Sequence, residues 1–292
     1  MVRTWLITGG SGGLGRALAQ RVLDGGDRAV VTSRDPAALR DLVEEFGDRV
    51  TARALDVTDV ASAQEVVDDT LAQHGTLDVV VNNAGFAASS SVEDFPAASF
   101  RDQVEINLFG VVNVTRAALP VLRRQRSGHF LQVSSIGGRV GGTPGLSAYQ
   151  TAKFGVEGFS EALAAEVAPL GIKVTIIEPG GIRTNWAAGA AATAGQLDPD
   201  YEQTVGAWIA RFGDFSGSEP GDPARMAQAM ADVVEAPNPP RRLLLGSDAL
   251  DIALRAEAQR TSEAWAWAEV SRSTDYPTTD YPSASFADAT SA

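Results

Sequence analysis

Short apolar runs rich in β-branched residues alternate with longer helical segments along this chain of 292 residues. The strand candidates, in chain order, are TWLIT, RAVVTS, VTARALDV, LDVVVNNAG, HFLQVSS, KVTIIEP and RRLLLGS. Segments with apolar residues three or four positions apart, the period of a helix with one buried face, are 14–23, 36–46, 61–74, 100–126 and 152–168. Near-continuous apolar strands are typical of parallel sheets covered on both faces. Because crossovers between parallel strands are right-handed, the pattern predicts an α/β fold: a three-layer, doubly wound parallel sheet of about seven strands.

A glycine-rich loop, TGGSGGLGR, lies between the first strand candidate and the first helix. Glycine lets the backbone turn tightly and approach a phosphate without a Cβ in the way. The helix behind the loop offers unpaired N–H groups and the positive end of its dipole. In this position the loop predicts dinucleotide binding in a Rossmann fold. The residues expected to contact the cofactor here are Gly9, Ser11, Gly12, Gly13, Leu14 and Gly15.

The tip of the second strand candidate indicates which dinucleotide binds. An acidic residue at this tip would bind the ribose 2′-hydroxyl of NAD. This chain has Ser33 and Arg34 there, and a guanidinium can pair with the 2′-phosphate of NADP. The sequence therefore favours NADP(H), while the neighbouring Asp35 keeps NAD(H) possible.

Two further motifs follow strands at the edge where open α/β sheets bind ligands. In LDV, after the third strand, Asp56 can accept a hydrogen bond from the adenine amino group, with Val57 beside it. NNAG follows the fourth strand, and we expect Asn83, Ala84 and Gly85 to line the cofactor site. Either motif alone could be ordinary turn chemistry.

Tyr149 and Lys153 lie four residues apart in AYQTAKF, so one helix face carries both side chains. A free tyrosine has a pKa near ~10, whereas an acid–base group for carbonyl chemistry works best nearer neutral pH. A neighbouring ammonium favours the phenolate, and Lys153 is therefore expected to lower the pKa of Tyr149.

Together with Asn107 in EINLFGVVNV, Ser135 in VSSIGG and the segment PGGIRT, these motifs resemble the short-chain dehydrogenase/reductase family, in its compact single-domain branch. The resemblance runs from about residue 2 to residue 247. It implies that Tyr149 donates the proton in reduction and that Lys153 also holds the nicotinamide ribose. It further implies that Ser135 hydrogen-bonds the substrate oxygen, and that Asn107 kinks its helix and supports a water next to Lys153. Further cofactor contacts implied by the resemblance are Pro179, Gly180, Ile182 and Thr184, in a segment that contacts the nicotinamide in the family.

The function predicted is that of an NADP(H)-dependent carbonyl reductase or alcohol dehydrogenase, which transfers hydride between nicotinamide and a ketone or secondary alcohol. A sugar-nucleotide epimerase or dehydratase is one alternative, although that branch normally has a larger C-terminal domain and a different glycine spacing. A non-catalytic NADP(H)-sensing protein is the other, although such proteins often lose the Tyr or the Lys, and both are present here.

The chain is expected to form one catalytic domain over 1–248, with a substrate lid over about 185–225, followed by a C-terminal helix and a partly disordered tail over 249–292. In the lid, Trp186, Tyr201, Trp208 and Phe212 are candidate pocket walls. The helices 100–126 and 152–168 resemble those that pair across a two-fold axis in the family, so a homodimer or homotetramer is expected.

The net charge of −13 disfavours nucleic acid and anionic membrane surfaces as partners. The absence of cysteine excludes disulfides, thiolate metal sites and a catalytic thiol. His74 and His129 lack metal-ligand spacing, so no metal site is predicted. Neither a signal peptide nor an apolar stretch near the ~20 residues of a membrane helix is visible. A cytoplasmic enzyme acting on a small carbonyl or alcohol is therefore expected.

Overall fold

The computed structural model describes residues 2–193 and 195–276. Seven parallel strands form one sheet in the order β3-β2-β1-β4-β5-β6-β7. Their bounds are β1 Thr4–Ile7, β2 Arg28–Ser33, β3 Val50–Ala54, β4 Val79–Asn82, β5 Gly128–Val133, β6 Ile172–Pro179 and β7 Arg242–Leu245. The strand order reverses between β1 and β4, which leaves a crevice at the carboxyl edge of the sheet. The predicted fold class is confirmed.

Helices cover both faces of the sheet, because alternate residues of each strand point to opposite sides. The α-helices are α1 Gly13–Asp24, α2 Arg40–Phe46, α3 Val60–His74, α4 Ala97–Val104, α5 Gly110–Gln125, α6 Ile136–Arg139, α7 Ser147–Val167, α8 Trp186–Ala192, α9 Ala207–Phe215, α10 Pro223–Glu235, α11 Ser247–Ala266 and α12 Ala268–Ser273. Trp5 and Ile7 of β1 enter one core with α1, α2 and α10, whereas Leu6 enters the other with α3, α5 and α7.

A π-helical segment, Glu105–Phe109, joins α4 to α5 in one continuous helix, Ala97–Gln125. No apolar stretch of membrane-spanning length is expected from the sequence, but within the described residues this one helix has the length and composition to cross a membrane. The most apolar stretch of this helix is 44% buried in the protein, and Val114, Ala118 and Leu122 belong to the core. Part of the apolar composition therefore serves packing against the sheet.

Two helices differ from the sequence-based expectation. The helix predicted from residue 152 begins at Ser147, which places Tyr149 in its first turn. Helix α10 was not predicted, although Asp222 caps it by accepting a hydrogen bond from the Ala224 N–H at 2.8 Å, and Pro223 follows. Asp followed by Pro is a recognised helix-start signal.

The lid predicted at 185–225 contains α8, a short 3₁₀ turn at Pro199–Tyr201, a π-helical turn and α9, and its last residues begin α10. The C-terminal helix predicted within 249–292 is divided into α11 and α12, with Trp265 69% and Trp267 66% exposed. The tail beyond Tyr276, for which partial disorder was predicted, lies outside the described residues.

Candidate active site

The glycine loop is fixed against the end of β4 by Asn83. Its Nδ2 donates hydrogen bonds to the carbonyl oxygens of Thr8 at 2.9 Å and Gly9 at 3.0 Å. Gly9 has φ of 69°, and a Cβ placed on it would lie 2.7 Å from the Cα of Ala84. The loop and the NNAG motif are therefore in van der Waals contact, which only glycine permits at position 9.

The N-terminus of α1 fits a phosphate group. Gly12 is its N-cap residue; no side chain caps the helix, and its first turn contains no acidic residue. A Cβ on Gly12 would meet nothing within 4 Å, so the backbone is open there. Thr184 faces the loop, with its methyl group 3.6 Å from the position of a Cβ on Gly13. Exposed N–H groups at a positive helix end suit a dinucleotide pyrophosphate. Ser11 and Leu14 lie in the same loop and first turn, and Leu14 is buried.

At the tip of β2 the carboxylate of Asp35 is already engaged. Its Oδ1 accepts a hydrogen bond from the Ala37 N–H at 2.9 Å and so caps a 3₁₀ turn, while Arg34 is exposed. Ser33 Oγ accepts a hydrogen bond from the Asp35 N–H at 3.3 Å. This tip therefore presents a hydroxyl and a guanidinium.

Asp56, predicted to contact adenine, uses one carboxylate oxygen within its own turn. Oδ1 accepts hydrogen bonds from the N–H and the hydroxyl of Thr58, at 2.9 and 2.7 Å. These hydrogen bonds lower the pKa of Asp56, and the charge of Arg34 lowers it further. Val57 is buried behind Asp56, so its side chain packs in the core.

Tyr149 and Lys153 lie in the first two turns of α7, where they are 8% and 4% exposed. Lys153 Nζ donates a hydrogen bond to the Val133 carbonyl at 2.7 Å and lies 5.8 Å from the centre of the tyrosine ring. Both side chains therefore reach the carboxyl edge of β5, beside the end of β4.

Asn107 lies in the π-helical segment, and its amide pairs with the backbone of Phe86. Nδ2 donates to the Phe86 carbonyl at 2.7 Å, and Oδ1 accepts from the Phe86 N–H at 2.9 Å. A Cβ on Gly85 would overlap Asn107 Oδ1 and would lie 3.8 Å from Lys153 Nζ. The missing side chain at Gly85 thus lets Asn107 and Lys153 approach each other.

Burial dominates the protonation of the Tyr–Lys pair. It raises the pKa of Tyr149 to about 12, although a hydrogen bond with Ser135 lowers it in part. It lowers the pKa of Lys153 to about 8. The expectation that Lys153 lowers the tyrosine pKa is wrong, because burial is the largest influence and disfavours the charged form of each group.

The two adjacent serines diverge. Ser135 is the N-cap residue of α6, and its Oγ accepts a hydrogen bond from the Gly137 N–H at 3.0 Å. Ser134 instead donates to Glu157 Oε1 at 2.6 Å. Of the two serines, Ser135 is the one whose hydrogen bond acts on the pKa of Tyr149, which places it beside that phenol.

Comparison with known proteins agrees with this geometry. The family model for short chain dehydrogenases matches residues 3–194. Oxidoreductase BOA17 of Botryotinia fuckeliana (strain B05.10) is 47% identical over 272 residues, which cover 93% of this chain and 98% of that protein. The chain belongs to the short-chain dehydrogenase/reductase family. It is therefore an oxidoreductase of the group that acts on CH–OH or C=O groups with a nicotinamide cofactor.

Solved members of the family share the fold. A short-chain dehydrogenase from Streptomyces avermitilis matches with a TM-score of 0.87 and 40% identity, covering 94% of this chain and 100% of its own. A family member from Burkholderia phymatum, solved in complex with NAD, matches with a TM-score of 0.78 at 21% identity and covers 89% of this chain and 95% of its own. The second likeness concerns the fold alone.

A buried ion network behind the serines of this short-chain dehydrogenase was not predicted. Glu178 is fully buried and accepts from Arg139 at 3.0 Å and from Arg242 at 2.8 Å; Arg242 also pairs with Glu157. Glu157 follows Lys153 by four residues on the same face of α7, a spacing that could have revealed it.

The lid packs its aromatic side chains directly over the ring of Tyr149. Trp186 lies 5.0 Å from Tyr149 between ring centres, and Phe212 lies 5.8 Å from Trp186 and 4.4 Å from Trp208. Tyr201 is not part of this cluster, because its hydroxyl donates to Glu93 at 2.9 Å outside it. Three of the four predicted wall residues therefore lie together.

Proposed function

We propose that this protein is an NADP(H)-dependent carbonyl reductase or alcohol dehydrogenase that works with a ketone or secondary alcohol. The observation that carries the proposal is the convergence of Tyr149, Lys153, Ser135 and Asn107 at the sheet edge that also holds the glycine loop. In that arrangement Tyr149 is the general acid–base group, and Ser135 stabilises negative charge on the substrate oxygen.

The protonation state of Tyr149 suits proton donation. With a pKa of about 12, the phenol carries its proton at neutral pH and can give it to a carbonyl oxygen. The Ser135 hydroxyl donates a hydrogen bond to the same oxygen, and Lys153 lies where it can hold ribose hydroxyls. When bound, the reduced nicotinamide supplies the hydride. The site around Tyr149 excludes water, which strengthens each of these hydrogen bonds.

The preference for NADP(H) over NAD(H) rests on Arg34. Its guanidinium is exposed at the tip of β2, while the neighbouring Asp35 carboxylate is held by the Ala37 N–H. A guanidinium forms strong, paired hydrogen bonds with a phosphate group. The 2′-phosphate of NADP(H) would be such a group.

The surroundings of Tyr149 support an apolar substrate. Ala87, Leu146 and Ala190 are buried around the tyrosine, and Trp186 packs on its ring. Such walls leave the hydroxyl groups of a sugar without partners, at a cost of roughly 1–3 kcal/mol for each one. We therefore propose a ketone or secondary alcohol with apolar or aromatic substituents.

Exposed aromatic side chains on the long helices bear on how the protein assembles. Phe109 and Phe154, on the long helices, are 46% and 42% exposed, which supports pairing of these helices between copies in a homodimer or homotetramer. We propose that the enzyme is cytoplasmic and works without a nucleic acid or membrane partner. Sedimentation of the purified protein measures the assembly directly, and a monomer would remove this part of the proposal.

The decisive experiment is NADPH oxidation with a panel of apolar ketones, aldehydes and quinones. Tyr149→Phe removes the proton donor and should lower turnover by about 10²–10⁴-fold while cofactor binding is retained. Tyr201→Phe is the matched control, because the Tyr201 hydroxyl donates to Glu93 outside the aromatic cluster, and this variant should keep most of the activity. Equal activities of the two variants would refute the assignment of Tyr149.

A further inference from the structure

Helix α11 is not held by an apolar face. Among its residues, Ser247–Ala266, only Ala249 and Ala253 are buried, while Leu250 is 47% and Leu254 is 56% exposed. Helices in globular proteins normally dock through a stripe of buried apolar side chains. The polar contacts of α11 must therefore supply much of what fixes its position.

The first of these contacts is made by Asp248 with the loop after β6. Its Oδ2 accepts a hydrogen bond from the Gly181 N–H at 2.8 Å. A Cβ on Gly180 would overlap the same carboxylate, so the glycine is what lets Asp248 approach. Gly180 is held from the other side, since its N–H donates to the Leu245 carbonyl at 2.9 Å. This loop, 179–184, is the segment expected to contact the nicotinamide.

The second contact is made with Arg139, the last residue of α6. Glu257 pairs with the guanidinium, and Arg260 Nη2 donates to the Arg139 carbonyl at 3.0 Å. The guanidinium also donates to the buried Glu178 at 3.0 Å, so it lies between the helix and the sheet. Because α6 has only four residues and Ser135 is its N-cap, fixing Arg139 also fixes Ser135.

We propose that α11 is a positioning brace for the active site: Asp248 sets the backbone of the nicotinamide loop, and Glu257 with Arg260 holds Arg139 and thereby Ser135. This inference rests on the proposed roles of Ser135 and of the loop. Asp248, Glu257 and Arg260 are positioning residues, since each acts on a neighbouring segment and none touches the reacting atoms. Helix α11 thereby connects the C-terminal segment to the Gly181 loop and to Arg139, on the two sides of the crevice.

The nicotinamide side is tested with Asp248→Ala, Asp248→Asn and the control Asp251→Ala, which removes an exposed carboxylate from the same helix. NADPH binding is measured by fluorescence titration, and hydrogen exchange is measured for 179–184 without cofactor. Asp248→Ala should bind NADPH about tenfold more weakly and exchange faster in this loop. Asp248→Asn keeps an acceptor for the Gly181 N–H and should restore most of the affinity, whereas the control should match wild type.

The serine side is tested with Glu257→Ala against Glu263→Ala, whose carboxylate accepts a hydrogen bond from Gln259 on the same helix. Glu257→Ala should accelerate hydrogen exchange over 134–140 and lower kcat several-fold, while the NADPH dissociation constant and the KM for NADPH stay unchanged. If Glu257 served only the stability of the fold, Glu257→Ala would lower the thermal midpoint of unfolding. It would not lower kcat while leaving NADPH binding unchanged.

The brace is refuted if Asp248→Ala and Asp251→Ala bind NADPH equally and give equal exchange over 179–184. It is also refuted if Glu257→Ala leaves exchange over 134–140 unchanged. A wild-type protein that binds NADPH but reduces no carbonyl would overturn the proposed function instead. In that case the binding and exchange measurements still decide the brace, because neither needs turnover.

Discussion

Replacing Lys153 with methionine should stabilise the folded protein at neutral pH while removing its activity. The ammonium is 4% exposed, and burial lowers its pKa from 10.5 to about 8. Methionine has a similar length and fills the same space without a charge. The wild-type protein therefore carries a folding penalty at pH 7 that the Lys153→Met variant lacks.

The size of the penalty follows from the pKa. A fall from 10.5 to about 8 corresponds to about 3 kcal/mol, at 1.36 kcal/mol for each pKa step. The variant loses the hydrogen bond from Nζ to the Val133 carbonyl, which contributes about 1 kcal/mol. We therefore expect Lys153→Met to be more stable than wild type by about 2 kcal/mol at pH 7.

The stability advantage of Lys153→Met over wild type should disappear at alkaline pH. The folded-state pKa of Lys153 lies below the unfolded-state value, so the folded protein binds fewer protons between about pH 8 and 10.5. In that window the free energy of unfolding rises with pH for wild type relative to the variant. By pH 10 the penalty is largely relieved, and wild type should equal or exceed the variant in stability. The tyrosine titration is common to both proteins and cancels in the comparison.

The assay is urea unfolding followed by circular dichroism at pH 7 and pH 10, with activity measured alongside. Lys173→Met is the control, because Lys173 also donates to backbone carbonyls, those of Ala236 and Pro237, from a half-buried position. The control should lose stability to a similar extent at both pH values. The reasoning is refuted if Lys153→Met is no more stable than wild type at pH 7, or if its advantage persists unchanged at pH 10.

Three further predictions concern the cofactor and the lid. Arg34→Ala should weaken NADPH binding about tenfold or more and leave NADH binding unchanged in fluorescence titrations; an equal loss for both would contradict a 2′-phosphate contact. Trp186→Ala uncovers the Tyr149 ring and should lower the pKa of that phenol from about 12 toward 10. Ultraviolet difference titration measures this pKa, and an unchanged value would show that other groups bury the ring. Gly180→Ala places a methyl group against Asp248, so it should weaken NADPH binding as Asp248→Ala does. The double variant with both substitutions should bind NADPH no more weakly than either single variant.

Local patterns in the sequence were sufficient for the fold and for the positions of the candidate site. Strand and helix periodicities are properties of neighbouring residues, and parallel crossovers leave little choice of topology. The glycine loop, NNAG, Ser135 and Tyr149–Lys153 each end a strand or begin a helix, so the fold itself brings them to one edge of the sheet. Helix α10 shows the limit of this approach, because its start signal lies inside a segment that looks like a loop.

What the sequence alone determined is therefore which groups meet at the cleft. The tertiary structure decided the pKa values of these groups and the contacts that hold them in position. Spacing suggested that Lys153 would lower the pKa of Tyr149, but burial under Trp186 and the surrounding core raises it, and burial depends on residues distant in sequence. The contacts of Asp248 with Gly181 and of Glu257 with Arg139 likewise join segments far apart in the chain. Desolvation and long-range ion pairing depend on three-dimensional proximity, which no local pattern encodes.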